Sequence, residues 1–288
     1  MVLRIVFAFI LVLSAAAVPC FSESGVYCRY KLDGRVHYGE VRQDRIHRLD
    51  RAPWDGGQRT GMIVSVENVR LLHPCEPKII LGIGKAYRSA WGAQRPYKTV
   101  RWFLKPPSAA ASSGEDVVLP ASLDEVKVET ELVIVIGKRT KDADEREAEE
   151  AIFGYTIGND IVGFADSYHR MQGEPSDQPE TLLGPGLKIC DGFAPFGPFI
   201  HSGVDWGDRD WTLCITNEKT GKDVRHGNNT SNMVYSPAKI VSDLSRVLTL
   251  SPGDVIFSGT SKSLVAGIED EVEVWIDGLG TLVNRIVE

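Results

Sequence analysis

The chain is poor in cysteine, with 5 in 288 residues. They stand far apart, and no C-x-x-C pair suggests a zinc site. Positive charge is not in excess either. Arginine and lysine number 32 against 39 aspartates and glutamates, a net charge of −7, so the chain carries no electrostatic footprint for nucleic acid. Its longest apolar run, Ile5 to Leu13, is too short for a membrane-spanning helix. The G-I-G-K of Gly82 to Lys85 lacks the spacing of a phosphate loop. No G-x-S-x-G elbow surrounds Ser258 or Ser261, which disfavours a serine hydrolase.

Helical periodicity is scarce while short β-rich runs are many, and 43% of the residues are hydrophobic. The expectation is an α+β, β-rich fold, with one large and one small domain for this length. Residues 1–22 read as a signal peptide: Arg4 gives a positive start, Ile5 to Leu13 an apolar run, and Ser14 to Ala17 the small residues of a cleavage site. Cleavage between Ala17 and Ser24 implies export to a periplasm or the exterior; without it the chain stays cytoplasmic, and the mature chain has no membrane span. In an oxidising compartment a Cys28–Cys75 bridge and buried free thiols are both open. Asn228 and Asn229 each begin a glycosylation sequon. Residues 25–77 read as a small β-rich meander, with turns at Asp33-Gly34 and Gln43-Asp44. Residues 78–288 form the larger domain.

The informative stretch is V-K-V-E-T-E-L-V-I-V-I-G, Val126 to Gly137. Its β-branched density predicts one strand, with Glu129 and Glu131 side by side on one face. Asp160, in G-N-D-I-V-G, follows a helix predicted to open at an aspartate cap and end near Gly154. Three converging carboxylates make a hard-oxygen site for Mg²⁺, Mn²⁺ or Ca²⁺. Lys105, at the mouth of a Pro/Ser/Ala loop, reads as a substrate-facing or solvated cation.

In order along the chain stand E-x-E-L-V-I-V-I-G, N-D, K-I-C-D-G-F-A-P-F-G-P and L-S-P-G-D-V-I-F-S-G-T. From about Lys78 to Glu288 this series resembles the fumarylacetoacetate hydrolase family, and the small N-terminal unit resembles the accessory β domain of many members. The resemblance implies a mixed β-sandwich or roll, a bound Mg²⁺ or Mn²⁺, often a homodimer, and 2-oxo or 2,4-diketo acid substrates. It implies Glu129, Glu131 and Asp160 as metal ligands, Lys188 beside the ion and the oxo-acid end, and Thr260 on the substrate carboxylate. It also exposes departures. Where family hydrolases carry G-x-N-Y-x-x-H-x-x-E, this chain has Arg88 at the His and Trp91 at the Glu. The segment after Asp160 is one residue longer and lacks the family's arginine, and G-T-P becomes G-T-S at Ser261. An arginine stays protonated and is no general base, so the water-activating pair is missing. His169 and His226 are candidate substitute bases, and each reads equally as an ordinary exposed or hydrogen-bonded histidine. Loss of the pair favours decarboxylation or enol–keto isomerisation over hydrolysis, with Arg88 as a clamp for a second carboxylate. The alternative is a non-catalytic relative that binds an oxo-acid or a metal.

Overall fold

A computed structural model describes residues 24–121, 123–163 and 188–288. The signal peptide expected over residues 1–22, and His169, lie outside these residues. The chain opens with β1 (Gly25–Leu32), β2 (Arg35–Arg42) and β3 (Arg45–Leu49). Asp33 at φ 49 and Gly34 at φ 77, then Gln43 at φ 57, take the left-handed backbone that tight hairpins need. β4 (Arg59–Ser65) and β5 (Arg70–Leu72) complete this unit.

The larger unit begins with β6 (Ile80–Gly84), β7 (Arg101–Lys105), and the two-residue β8 (Ala110–Ala111) and β9 (Val117–Val118). Next come β10 (Glu125–Val128), β11 (Thr130–Ile136), helix α1 (Glu145–Ala151), β12 (Ile152–Asn159) and β13 (Val162–Gly163). After residue 188 follow β14 (Ala194–Pro195), β15 (Phe199–Ser202), β16 (Asp210–Asn217) and β17 (Lys222–Asn229). Helix α2 (Pro237–Val247), β18 (Val255–Phe257), β19 (Leu264–Gly267), β20 (Glu271–Ile276) and β21 (Gly280–Val287) close the chain.

The expected meander is present, yet it is no separate sheet. β1 pairs antiparallel with β15, so one sheet runs β4-β3-β2-β1-β15-β12-β11-β18-β6-β7 across both units, with β5 also on β1. A second sheet, β17-β16-β20-β21-β9, faces it. β11 lies inside the first sheet, between β12 and β18, and is buried at all seven positions. Leu132, Ile134 and Ile136 enter the core shared with α2 and the second sheet, while Val133 and Val135 enter the core of Phe153, Phe196 and Phe257. A strand covered on both faces needs an unbroken apolar run rather than alternation, which is what L-V-I-V-I, Leu132 to Ile136, supplies.

Two expectations need correction. The stretch Val126 to Gly137 is not one strand: β10 joins β13 and β19 in a three-stranded sheet, β11 joins the main sheet, and the chain breaks at Glu129. Helix α1 has the expected Asp144 cap, as a capping box with Glu147, but it ends at Ala151. The residues from Ile152 on pair with β11 instead, and Gly154 has no room for a side chain, because a Cβ there would meet His201 O at 2.3 Å. The four described cysteines are free, and burial pushes the Cys28 thiol up to about 12.

Candidate functional site

The break at Glu129 is held by a latch. Its backbone N–H donates to Asn159 Oδ1 at 3.0 Å, and its carbonyl accepts the Asp160 N–H at 3.0 Å. Asp160, immediately after β12, is thereby fixed against the junction of β10 and β11. Glu129, Glu131 and Asp160 each offer an oxygen, and these oxygens lie within 4.8 Å of one another. Glu131 is held by the Gly259 N–H, which donates to Oε2 at 2.7 Å. Gly259 has φ +91, and a Cβ on it would meet Ala86 Cβ at 2.6 Å and Ile83 O at 2.7 Å. Only glycine lets that N–H approach the carboxylate.

Burial pushes Glu131 well above the usual carboxylate range, and the charges of Asp160 and Glu129 add to it. Burial also lifts Glu129, to about 7, against the pull of Lys188. For Asp160 burial is outweighed by Lys105 and Lys188, which hold it below the ordinary value. Asp160 Oδ1 is buried without a well-aligned hydrogen bond, although Lys105 Nζ stands 2.7 Å away. Three crowded, incompletely neutralised carboxylates fit a divalent cation, and an all-oxygen donor set suits Mg²⁺ or Mn²⁺ better than a thiophilic metal.

Two lysines flank the triad. Lys188 Nζ donates to Asp160 Oδ2, lies 3.6 Å from Glu129 Oε2 and sits 4.5 Å above the Phe103 ring centroid. Burial would lower its pKa, but Asp160 and Glu129 outweigh burial and keep it charged. Lys105 is neither solvated nor substrate-facing. Its side chain is 0% exposed, and Nζ donates to Ile161 O at 2.9 Å and Phe193 O at 2.7 Å. It lies beneath the triad as a counter-charge to Asp160, because β7 is in register with β6 and turns alternate residues inward.

The triad opens into a cleft of about 600 Å³ lined in part by Glu129, Asp160, Lys188 and Thr260. Two further cations line it, Lys85 and Arg101, and the reading of the sequence missed both. The signal was the alternation R-W-F-L-K in β7, which puts Arg101, Phe103 and Lys105 on one face. Arg88 is exposed on a short 3₁₀ turn and does not line the cleft. His226 does not line it either. Its Nε2 lies 3.3 Å from Ser261 Oγ and its ring packs edge-on against Trp211, and burial, with Lys262, lowers its pKa.

Residues 80–287 match the family model described as fumarylacetoacetate (FAA) hydrolase, C-terminal. The chain belongs to the fumarylacetoacetate hydrolase family. Residues 27–74 match a second description, Rv2993c-like, N-terminal. Protein Rv2993c of Mycobacterium tuberculosis is 32% identical over 261 residues, covering 89% of this chain and 92% of that protein. A 4-hydroxyphenylacetate degradation bifunctional isomerase/decarboxylase of Salmonella dublin is 32% identical over 212 residues, which is 72% of this chain but 46% of that longer protein. The crystal structure of a 5-carboxymethyl-2-hydroxymuconate delta-isomerase from Mycobacterium smegmatis superposes with a TM-score of 0.77 at 29% identity, covering 91% of this chain and 99% of that one.

Membership in the fumarylacetoacetate hydrolase family makes the departures in G-I-G-K-A-Y-R-S-A-W concrete. Trp91 is buried, donates Nε1 to Lys85 O at 2.8 Å and meets Tyr97 edge-on at 4.9 Å. It closes the loop upon itself and has no proton-accepting atom to offer.

Proposed function

We propose that the protein is a divalent-metal-dependent enzyme acting on 2-oxo or 2,4-diketo acids by decarboxylation or enol–keto isomerisation. The observation that carries this reading is the convergence of Glu129, Glu131 and Asp160 on one point of a cleft that also holds Lys188 and Thr260. Glu129, Glu131 and Asp160 would hold Mg²⁺ or Mn²⁺, which when bound supplies Lewis-acid polarisation of the substrate carbonyl. Lys188 keeps a charged ammonium beside that point and can donate to the oxygen on which enolate charge grows. Thr260 brings a hydroxyl to the same cleft for the substrate's carboxylate. Arg88 and Trp91 hold no basic atom at the positions where family hydrolases activate water. The two favoured reactions need stabilised charge on the substrate more than an activated nucleophile, so their loss weighs against hydrolysis. Two relatives, an isomerase/decarboxylase and a delta-isomerase, support the same choice.

The test is turnover of oxaloacetate and a set of acylpyruvates with Mg²⁺ or Mn²⁺, again with chelator, and with Glu131→Gln. Turnover that vanishes on chelation and in the variant is expected, with product analysis separating decarboxylation, isomerisation and hydrolysis. Metal-dependent binding of these acids without turnover would instead establish a non-catalytic oxo-acid binder.

A further inference from the structure

β7 forms one wall of the cleft, and its inward residues make a graded series. Lys105, at the inner end, is sealed beneath Asp160. Phe103 comes next and carries the Lys188 ammonium on its ring face. Gly82 lies opposite in register, and a Cβ there would meet Phe103 Cζ at 2.1 Å, so glycine is what lets this ring lie against β6. Arg101 is the third member, two residues and about 7 Å further along the strand, at the open end of the cleft. Its register partner is Gly84, which puts Lys85 beside it at the exit of β6. Lys85 holds φ 57, a backbone region unusual for a residue with a side chain, and its ammonium stands 5.5 Å from the Trp91 ring centroid. Neither Lys85 nor Arg101 makes an ion pair or a side-chain hydrogen bond among the described residues, in a protein whose net charge is −7.

Charge balance sharpens the point. Around the cleft, Lys85, Arg101, Lys105 and Lys188 face Glu129, Glu131 and Asp160. Four cations against three carboxylates leave one positive charge, and a divalent ion in the triad makes it three. Lys188 and Lys105 are committed to the triad, so the surplus sits at the outer end. We infer that Lys85 and Arg101 form a second anion-binding pair that selects oxo-acids carrying a distal carboxylate. This rests on the oxo-acid reading of the triad and assigns the far end of the substrate. Arg101 offers a planar fork of donors matched to a carboxylate, and Lys85 a second positive charge from the facing element. Both are exposed, so the pair discriminates between substrates without dominating affinity.

The test compares two six-carbon acids that differ only at the far terminus, 2-oxoadipate and 2-oxohexanoate. Their binding to Mn²⁺-loaded protein is measured by isothermal titration calorimetry. The native protein is expected to favour the diacid by about tenfold, the effect of one or two charge-assisted contacts. The double variant Lys85→Gln/Arg101→Gln should lose about that factor for the diacid and keep its affinity for the monoacid, which also certifies its fold. Equal affinity of native protein for the two acids would overturn the inference alone. So would a parallel loss of both acids in the double variant, or the full selective loss produced by Arg88→Gln by itself. If neither acid binds the native protein, the oxo-acid reading fails and this inference with it.

Discussion

Lys105 holds its ammonium among Ile161 O, Phe193 O and Asp160 Oδ1, with no exposed surface. Burial pulls its pKa down, and the charge of Asp160 resists. Replacing it with methionine keeps the volume but strands a buried carboxylate and two carbonyls. Lys105→Met is therefore expected to cost about 3–5 kcal/mol in urea or guanidinium unfolding, and a change within experimental error would show that the pair is not structural. Arginine should not rescue it, since a planar fork cannot replace a compact ammonium among three converging oxygens. At this scale the sequence was legible where a residue sits inside a motif. Glu129, Glu131 and Asp160 were singled out by their spacing and Lys188 and Thr260 by the family resemblance; the structure brings Glu129, Asp160, Lys188 and Thr260 to one cleft, with Glu131 beside Glu129 and Asp160. Lys105 was misread because its partner is 55 positions away in sequence, and burial of a charge depends on that partner. Arg101 and Lys85 were missed because strand alternation tells which residues share a face but not what that face meets.

The turn between β19 and β20 shows how one side chain can pin an element. Asp270 accepts from the Gly267 N–H at 2.8 Å and Asn217 Nδ2 at 2.9 Å, and it pairs with Lys222. Burial would raise its pKa, but Lys222, the Gly267 N–H and Asn217 outweigh burial and hold it below the usual carboxylate range. A lowered folded-state pKa gives stability that is present above the ordinary carboxylate value and is lost as pH falls through the lowered one. Unfolding free energy measured below about pH 5 should therefore drop with acid, and Asp270→Asn should be less stable at neutral pH with a shallower acid dependence. Equal slopes for the two proteins would refute this. Elements were legible where local chemistry decides them, as at the Asp33-Gly34 hairpin and the Asp144 cap. They were misjudged where a neighbour decides. The split at Glu129 comes from Asn159 and Asp160, and α1 stops early because β11 and β15 claim the residues after it.

Across the molecule, the main sheet passes without interruption from the N-terminal unit into the core of the larger one, so the two share a continuous ladder rather than a surface contact. That sheet places the two halves of the site very differently. β11, which bears Glu131, is bonded on both sides, to β12 and to β18. β7, which bears Arg101, Phe103 and Lys105, is the last strand in the order, bonded to β6 alone among the described residues. Free energies of local opening scale with how much of the ladder must yield. Backbone amides of β7 should thus exchange with deuterium well before those of β11, and equal protection of the two strands would contradict the arrangement. The carboxylates would then form a standing socket, and the wall of cations a hinged one. Substrates of different length would meet the same inner chemistry behind a rim that yields.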